Sequence, residues 1–142
     1  DRYRRGMYTF FKRTSPHPNL ITFDCPDSNV TCVKRNISNT PIAALATLNN
    51  SVFTDAAKAM AKRLIKERNS DSERIAMGFQ LCTARKPSTK EAAAFLALLK
   101  KAKLYYGENE TEAKAFNGDA EASAWATLTR IFLNLDEFIT RE

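Results

Sequence analysis

Thr40-Pro41 is the feature that most limits what this chain can become. A hydroxyl followed by proline sets a helix start. The hydroxyl oxygen accepts from an early helical N–H, and proline's missing donor costs nothing at the first helical position. Before this pair, up to about Ser38, the sequence is rich in Pro, Asn, Asp and aromatic residues. After it, apolar residues recur at helical spacing. The chain therefore divides into a partly extended N-terminal arm, 1–38, and a helical bundle, 39–142. Together they read as a single domain, because 142 residues suffice for one core.

The bundle reads as about five helices. The first opens at Pro41 with Ala44, Leu45 and Leu48 on one face and stops at Asn49-Asn50. Ser51 is a candidate cap for the second, with Phe53, Ala56, Ala57, Met60, Ala61 and Leu64 on its apolar side. The third opens at Ser70 or Asp71 and carries Ile75, Phe79 and Cys82. Lys86-Pro87 breaks it, and Ser88 with Glu91 has capping-box spacing for the fourth, which carries Phe95, Leu96, Leu99 and Ala102. Glu108 to Asn117 is an acidic connection holding at most a short helix. The last helix starts at Asp119 or Ala120, with Trp125, Leu128, Phe132 and Leu135 as its stripe. In the arm, Met7–Phe11 and Leu20–Phe23 read as extended runs, with Pro16 and Pro18 breaking any helix between them. The fold class is all-α.

Hydrophobic residues make up 44% of the chain, which excludes a disordered segment. No apolar run approaches the roughly 18 residues that span a bilayer, so no membrane span is expected. The start lacks both a methionine and an apolar leader, so the chain reads as a fragment of a longer protein. The net charge is +6, spread along the chain with clusters at Arg2, Arg4 and Arg5, at Lys12 and Arg13, and at Lys34 and Arg35. Scattered charge of this kind is mostly a solvated surface. Cys25 and Cys32 flank a turn-like stretch and make a possible disulfide in an oxidising compartment, whereas Cys82 sits in a helical apolar pattern.

Several ordered blocks resemble one family. They are Arg4-Arg5-x-x-Tyr8-x-Phe10-x-Lys12-Arg13-Thr14, Phe23-Asp24-x-Pro26-Asp27, Cys32-x-x-Arg35, Asn39-Thr40-Pro41-Ile42-x-Ala44-Leu45-x-x-Leu48-Asn49, Glu73-Arg74-Ile75, and the terminal run from Leu133 through Asp136 and Glu137 to Arg141-Glu142. The chain is similar to the C-terminal domain of the planctomycete-type PSD-one family, a domain of unknown function (DUF-1553 type). The resemblance implies an exported location, periplasmic or at the cell surface, at the end of a large multidomain protein. It also implies upstream domains that include cytochrome c-like and carbohydrate-binding modules, and a link to polysaccharide use. The parent protein would then carry c-type haem, while this segment has no CxxCH signature and no cofactor of its own. Ala43 stands where the family has glutamine, and Cys25 where a small residue such as alanine is common.

Candidate chemistry is sparse. His17, the single histidine, could orient against Asp24 or Asp27 and activate Cys32, but a loop histidine is the simpler reading. Asp24, Asp27, Asn29 and Asn36 offer oxygens for calcium in a spacing that matches no EF-hand, and turn formation explains them as well. No metal site is expected. Asp136 and Glu137 are adjacent on a helix rather than opposed across a cleft. They read better as ion-pair partners for Arg4, Arg5, Arg13 or Arg35, holding the arm to the bundle. The interface or ligand candidates are therefore Arg4, Arg5, Tyr8, Lys12, Arg13, Asp24, Arg35, Asn39, Asp136 and Glu137, with no catalytic residue. The leading reading is a non-catalytic docking module bound to the upstream domains of its parent. The alternatives are an anionic or sulfated polysaccharide-binding module and part of a composite enzyme site. Nucleic acid is disfavoured as a partner.

Overall fold

The structure is a computed structural model that describes residues 3–27, 29–36 and 38–140. Arg2, Arg141 and Glu142, which enter the sequence reading above, lie outside the described residues. The described chain is all-helical: a 3-10 turn at Gly6–Tyr8 and eight α-helices, with no strand among the described residues. The helices are α1 Pro18–Thr22, α2 Pro41–Asn49, α3 Ser51–Glu67, α4 Asp71–Thr83, α5 Thr89–Glu108, α6 Glu110–Asn117, α7 Ala120–Phe132 and α8 Asp136–Ile139.

Local chemistry sets most boundaries. Thr40 caps α2 by accepting from the Ala43 N–H at 3.2 Å. Asn50, not Ser51, caps α3. Its backbone N–H closes α2 onto Ala46 O while its side chain accepts from Val52 N at 2.9 Å, so one residue serves both helices. Ser70 with Glu73 and Ser88 with Glu91 both form complete capping boxes, and Asp119 caps α7.

The arm departs from the sequence reading. Leu20–Phe23 is not extended; most of it lies in α1. Pro18 occupies the first helical position, the His17 ring accepts from Asn19 N, and the Thr22 hydroxyl donates back to Pro18 O at 2.9 Å. Proline here starts a helix instead of breaking one. Met7 and Tyr8 fall in the 3-10 turn.

α7 is the centre of the bundle and packs on α3, α5 and α6. Eight of its residues are buried, among them Trp125, Leu128 and Phe132, each at most 1% exposed. Phe79, Phe95 and Phe132 meet edge-on or tilted, with centroids 5.0–6.4 Å apart. Gly78 lets α4 approach α7. A Cβ there would lie 2.8 Å from Phe132 Cε2 and 2.9 Å from Leu64 Cδ1. Leu135 was expected on the α7 stripe, but α7 ends at Phe132 and Leu135 caps α8.

Candidate functional site

The arm is tied to the bundle at two places. At its start Tyr3 Oη donates to Asp55 Oδ2 at 2.9 Å, and past its middle the Phe23 ring sits 5.8 Å from that of Phe53. Farther along, the arm folds back on itself. Asp24, in left-handed backbone conformation (φ 53°), accepts at Oδ2 from both the N–H and the hydroxyl of Ser38, at 2.8 and 2.7 Å. Arg35 Nη2 donates to the carbonyls of Phe23 and Asp24 at 3.2 and 3.3 Å. These bonds close residues 24–38 into a loop with a fixed neck. Between this loop and residues 11–21 lies an open cleft of about 700 Å³, lined by Arg13, Asp24, Cys25, Cys32, Lys34 and Arg35 among others.

The predicted candidates separate into distinct places. Asp24 and Arg35 meet at the neck, though Arg35 bonds carbonyls and not the Asp24 carboxylate. Asn39 and Asp136 meet at the seam of α2 and α8, where Asn39 Nδ2 donates to Asp136 Oδ1 at 2.5 Å. Beside them the Thr47 hydroxyl donates to Asn134 Oδ1, and Arg130 donates to Leu48 O. Arg4, Arg5 and Tyr8 are exposed on and beside the 3-10 turn, with Lys12 and Arg13 exposed on the loop that follows. Cys25 and Cys32 are free thiols that both line this cleft.

Glu137 corrects the expected ion-pair net. Its partner is Arg85, from the α4–α5 turn. Arg85 holds Glu137 bidentately at 2.9 and 2.6 Å and Glu91 bidentately at 3.0 and 2.7 Å, and donates to Lys86 O. All five of its N–H groups are thereby engaged, and none is left for a ligand anion. Its guanidinium also lies 4.8 Å from the centre of the Phe79 ring. The bonds from Arg85 hold the Glu91 carboxyl down at about 2, with the Ser88 N–H and hydroxyl adding to the effect. They lower Glu137 as well, and the two carboxylates raise Arg85 in return. The clamp joins the starts of α5 and α8, and the sequence offers only a weak hint of it: an arginine just before a capping box.

Other expected chemistry resolves into local structure. The His17 ring nitrogen is engaged in capping α1. Asp27 Oδ1 accepts from the N–H and side-chain amide of Asn29, a turn of the kind Asx residues make. Asp136 and Glu137 diverge, one to Asn39 and the other to Arg85. Among the described residues no group of three or more His, Cys, Asp or Glu side chains is placed to hold a metal ion. Among the described residues no helix is long and apolar enough to cross a membrane. Cys82 is buried in the core, and desolvation pushes its thiol up to about 11.

No curated protein and no solved structure matches the chain. One family model does, over residues 1–99, a span that takes in the arm, α2, α3, α4 and the first half of α5. The terminal block from Leu133 onward, which also carried the resemblance, lies outside the matched residues. With well over half its length matched, the chain belongs to the PSD1 family, proteins of unknown function (DUF1553).

Proposed function

We propose that this domain is a non-catalytic docking module in an exported multidomain protein, and that its arm and the outer face of α2 are covered by the upstream part of that protein. One observation carries the reading. Among the described residues thirteen large apolar side chains are exposed, and nine of them fall between Tyr3 and Leu45: Tyr3, Met7, Tyr8, Phe10, Ile21, Val30, Val33, Ile42 and Leu45. Singly scattered apolar residues need no explanation, but so many exposed in one third of the chain suit that third to being covered. α2 supports it from the other side. It buries Ala43 and Thr47, yet leaves Ile42 and Leu45 67% and 58% exposed, so the helix is apolar on both faces. A helix apolar all round belongs inside an interface.

The test supplies the upstream region of the parent in trans and follows amide exchange. Protection of Phe10, Val33, Ile42 and Leu45, lost in the Ile42→Glu, Leu45→Glu double variant, is the expected result. Unchanged exchange across the arm and α2 at saturating concentration refutes the docking reading. A second reading is kept by one observation: Arg5, Lys12 and Arg13 are exposed beside Tyr8 and Phe10. Cations interleaved with aromatics suit an anionic or sulfated polysaccharide. Binding to sulfated but not neutral glycans, weakened by salt and by Arg5→Ala with Arg13→Ala, would favour that reading.

A further inference from the structure

We propose that Cys25 and Cys32 are a redox modification site: they form a reversible intramolecular disulfide that closes the arm cleft. Three observations on the page lead there. Both thiols line the same cleft, one half-buried and the other exposed, so both are accessible from it. Chain connectivity limits their separation: they stand seven positions apart, inside a stretch whose two ends the neck bonds join. Cys25 adjoins Asp24, and Cys32 lies three residues from Arg35, a reach of no more than about 10 Å of chain. Of the described residues from Pro26 to Asn36, none makes a backbone–backbone hydrogen bond, and side-chain contacts such as Asp27 to Asn29 and the Cys32 thiol to Lys34 O shape them.

Two thiols a few residues apart on one cleft, in a stretch closed by a neck, have a raised effective concentration for each other. The third thiol, Cys82, lies in the bundle core, away from this cleft and little ionised at neutral pH, so it does not compete. The step is thiol–disulfide exchange with a small disulfide such as oxidised glutathione. One thiolate attacks it, releases one glutathione and forms a mixed disulfide. The second thiolate then attacks the protein sulfur, forms the Cys25–Cys32 bond and releases the other glutathione. Two thiols of the protein are oxidised, two protons leave, and one glutathione disulfide is reduced to two thiols. Closing the bond draws the two walls of the cleft together and fixes Lys34-Arg35, which stand just beyond Cys32.

The experiment equilibrates the full chain in glutathione buffers of increasing oxidation, quenches with acid, alkylates and measures mass, with peptide mapping of any link. The reduced chain should take up two labels under native conditions. The oxidised chain should take up none, lose two hydrogens and yield a Cys25–Cys32 peptide. Cys25→Ser should instead carry one glutathione on Cys32, and Cys82→Ser should behave as the parent does. Removing the neck with Asp24→Ala and Arg35→Ala should lower the linked fraction at a given glutathione ratio by about tenfold. Two glutathione adducts at equilibrium, linked dimers, a link through Cys82, or a linked fraction unchanged by loss of the neck would each overturn the proposal.

Discussion

Gly78→Ala sets two known effects against each other, and the structure decides which prevails. Gly78 lies inside α4, where alanine gains about 1 kcal/mol of helix propensity over glycine. The added Cβ would meet Phe132 Cε2 at 2.8 Å and Leu64 Cδ1 at 2.9 Å, whereas carbon atoms rest at about 3.5–4.0 Å. Neither neighbour can retreat easily. Both are fully buried, and the Phe132 ring is wedged edge-on against Phe95 at 5.0 Å. Overpacking costs about 1–3 kcal/mol, occasionally more; with two contacts under 3.0 Å the upper part of that range applies, about 2–3 kcal/mol, so the net loss after the propensity gain should be about 1–2 kcal/mol. Urea unfolding followed by fluorescence of Trp125, the single tryptophan and itself fully buried, reads it directly. The loss should shrink in a Leu64→Ala background, where space has been made. Gly107 is the control: nothing lies within 4 Å of its Cβ position, so Gly107→Ala should gain up to about 1 kcal/mol. A Gly78→Ala midpoint at or above the parent's, with an unchanged slope, would refute the claim that this glycine sets the α4–α7 approach.

Three further outcomes follow from particular contacts. The folded-state pKa of Glu91 is depressed from an ordinary 4.5 to about 2, and that of Glu137 is also lowered, so their contribution is present above 4.5 and lost as pH falls toward 2. Between about pH 6 and about pH 3 the parent should therefore lose more unfolding midpoint than Arg85→Met does, and the gap should narrow with salt. Equal losses would remove the clamp from the account. Ala84 ends α4 with φ 61°, a conformation that costs a side-chain-bearing residue about 1–2 kcal/mol, so Ala84→Gly should stabilise by about 0.5–1 kcal/mol after its unfolded-state entropy is counted. A destabilised Ala84→Gly by the same urea assay would mean that the turn is held for another reason. Leu99, fully buried in the core cluster, should lose about 2–5 kcal/mol on change to alanine, while Leu98, 41% exposed, should lose far less.

What the sequence made legible is what short-range chemistry determines. Thr40-Pro41, the Ser88–Glu91 box and the Asp119 cap each act within four residues, and each is found where the pattern placed it. The Trp125–Leu128–Phe132 stripe was readable for the same reason, since a helix face repeats locally. Leu135 was misplaced because the break before it answers to a distant partner: Asn134 leaves the helix to accept from Thr47, 87 positions away. Glu137 was assigned to the arm's arginines because charge clusters were all that the sequence offered. Its true partner, Arg85, is 52 residues away and belongs to no periodic pattern. α1 was missed because its cap is a histidine, a residue outside the usual capping set.

The span matched by the family and the unit that folds are different things here. Residues 1–99 contain α3, α4 and half of α5, and the faces these helices bury look toward α7, which lies wholly beyond residue 99. Trp125, Leu128 and Phe132 alone bring about 1.5–3 kcal/mol each on burial, which together is comparable with the whole stability of an ordinary domain at about 5–15 kcal/mol. A chain ending at Leu99 would also lose the partner that Glu137 supplies to Arg85 and would expose Leu64, Ile75, Phe79 and Phe95. Residues 1–99 produced alone should therefore lack a cooperative unfolding transition by circular dichroism and bind a hydrophobic dye. A peptide spanning 100–140, added in trans, should restore both the transition and the burial of Phe79 and Phe95. A cooperative transition in the 1–99 fragment by itself would show that the arm and first helices carry a core of their own, and would overturn the placement of α7 at the centre of the fold.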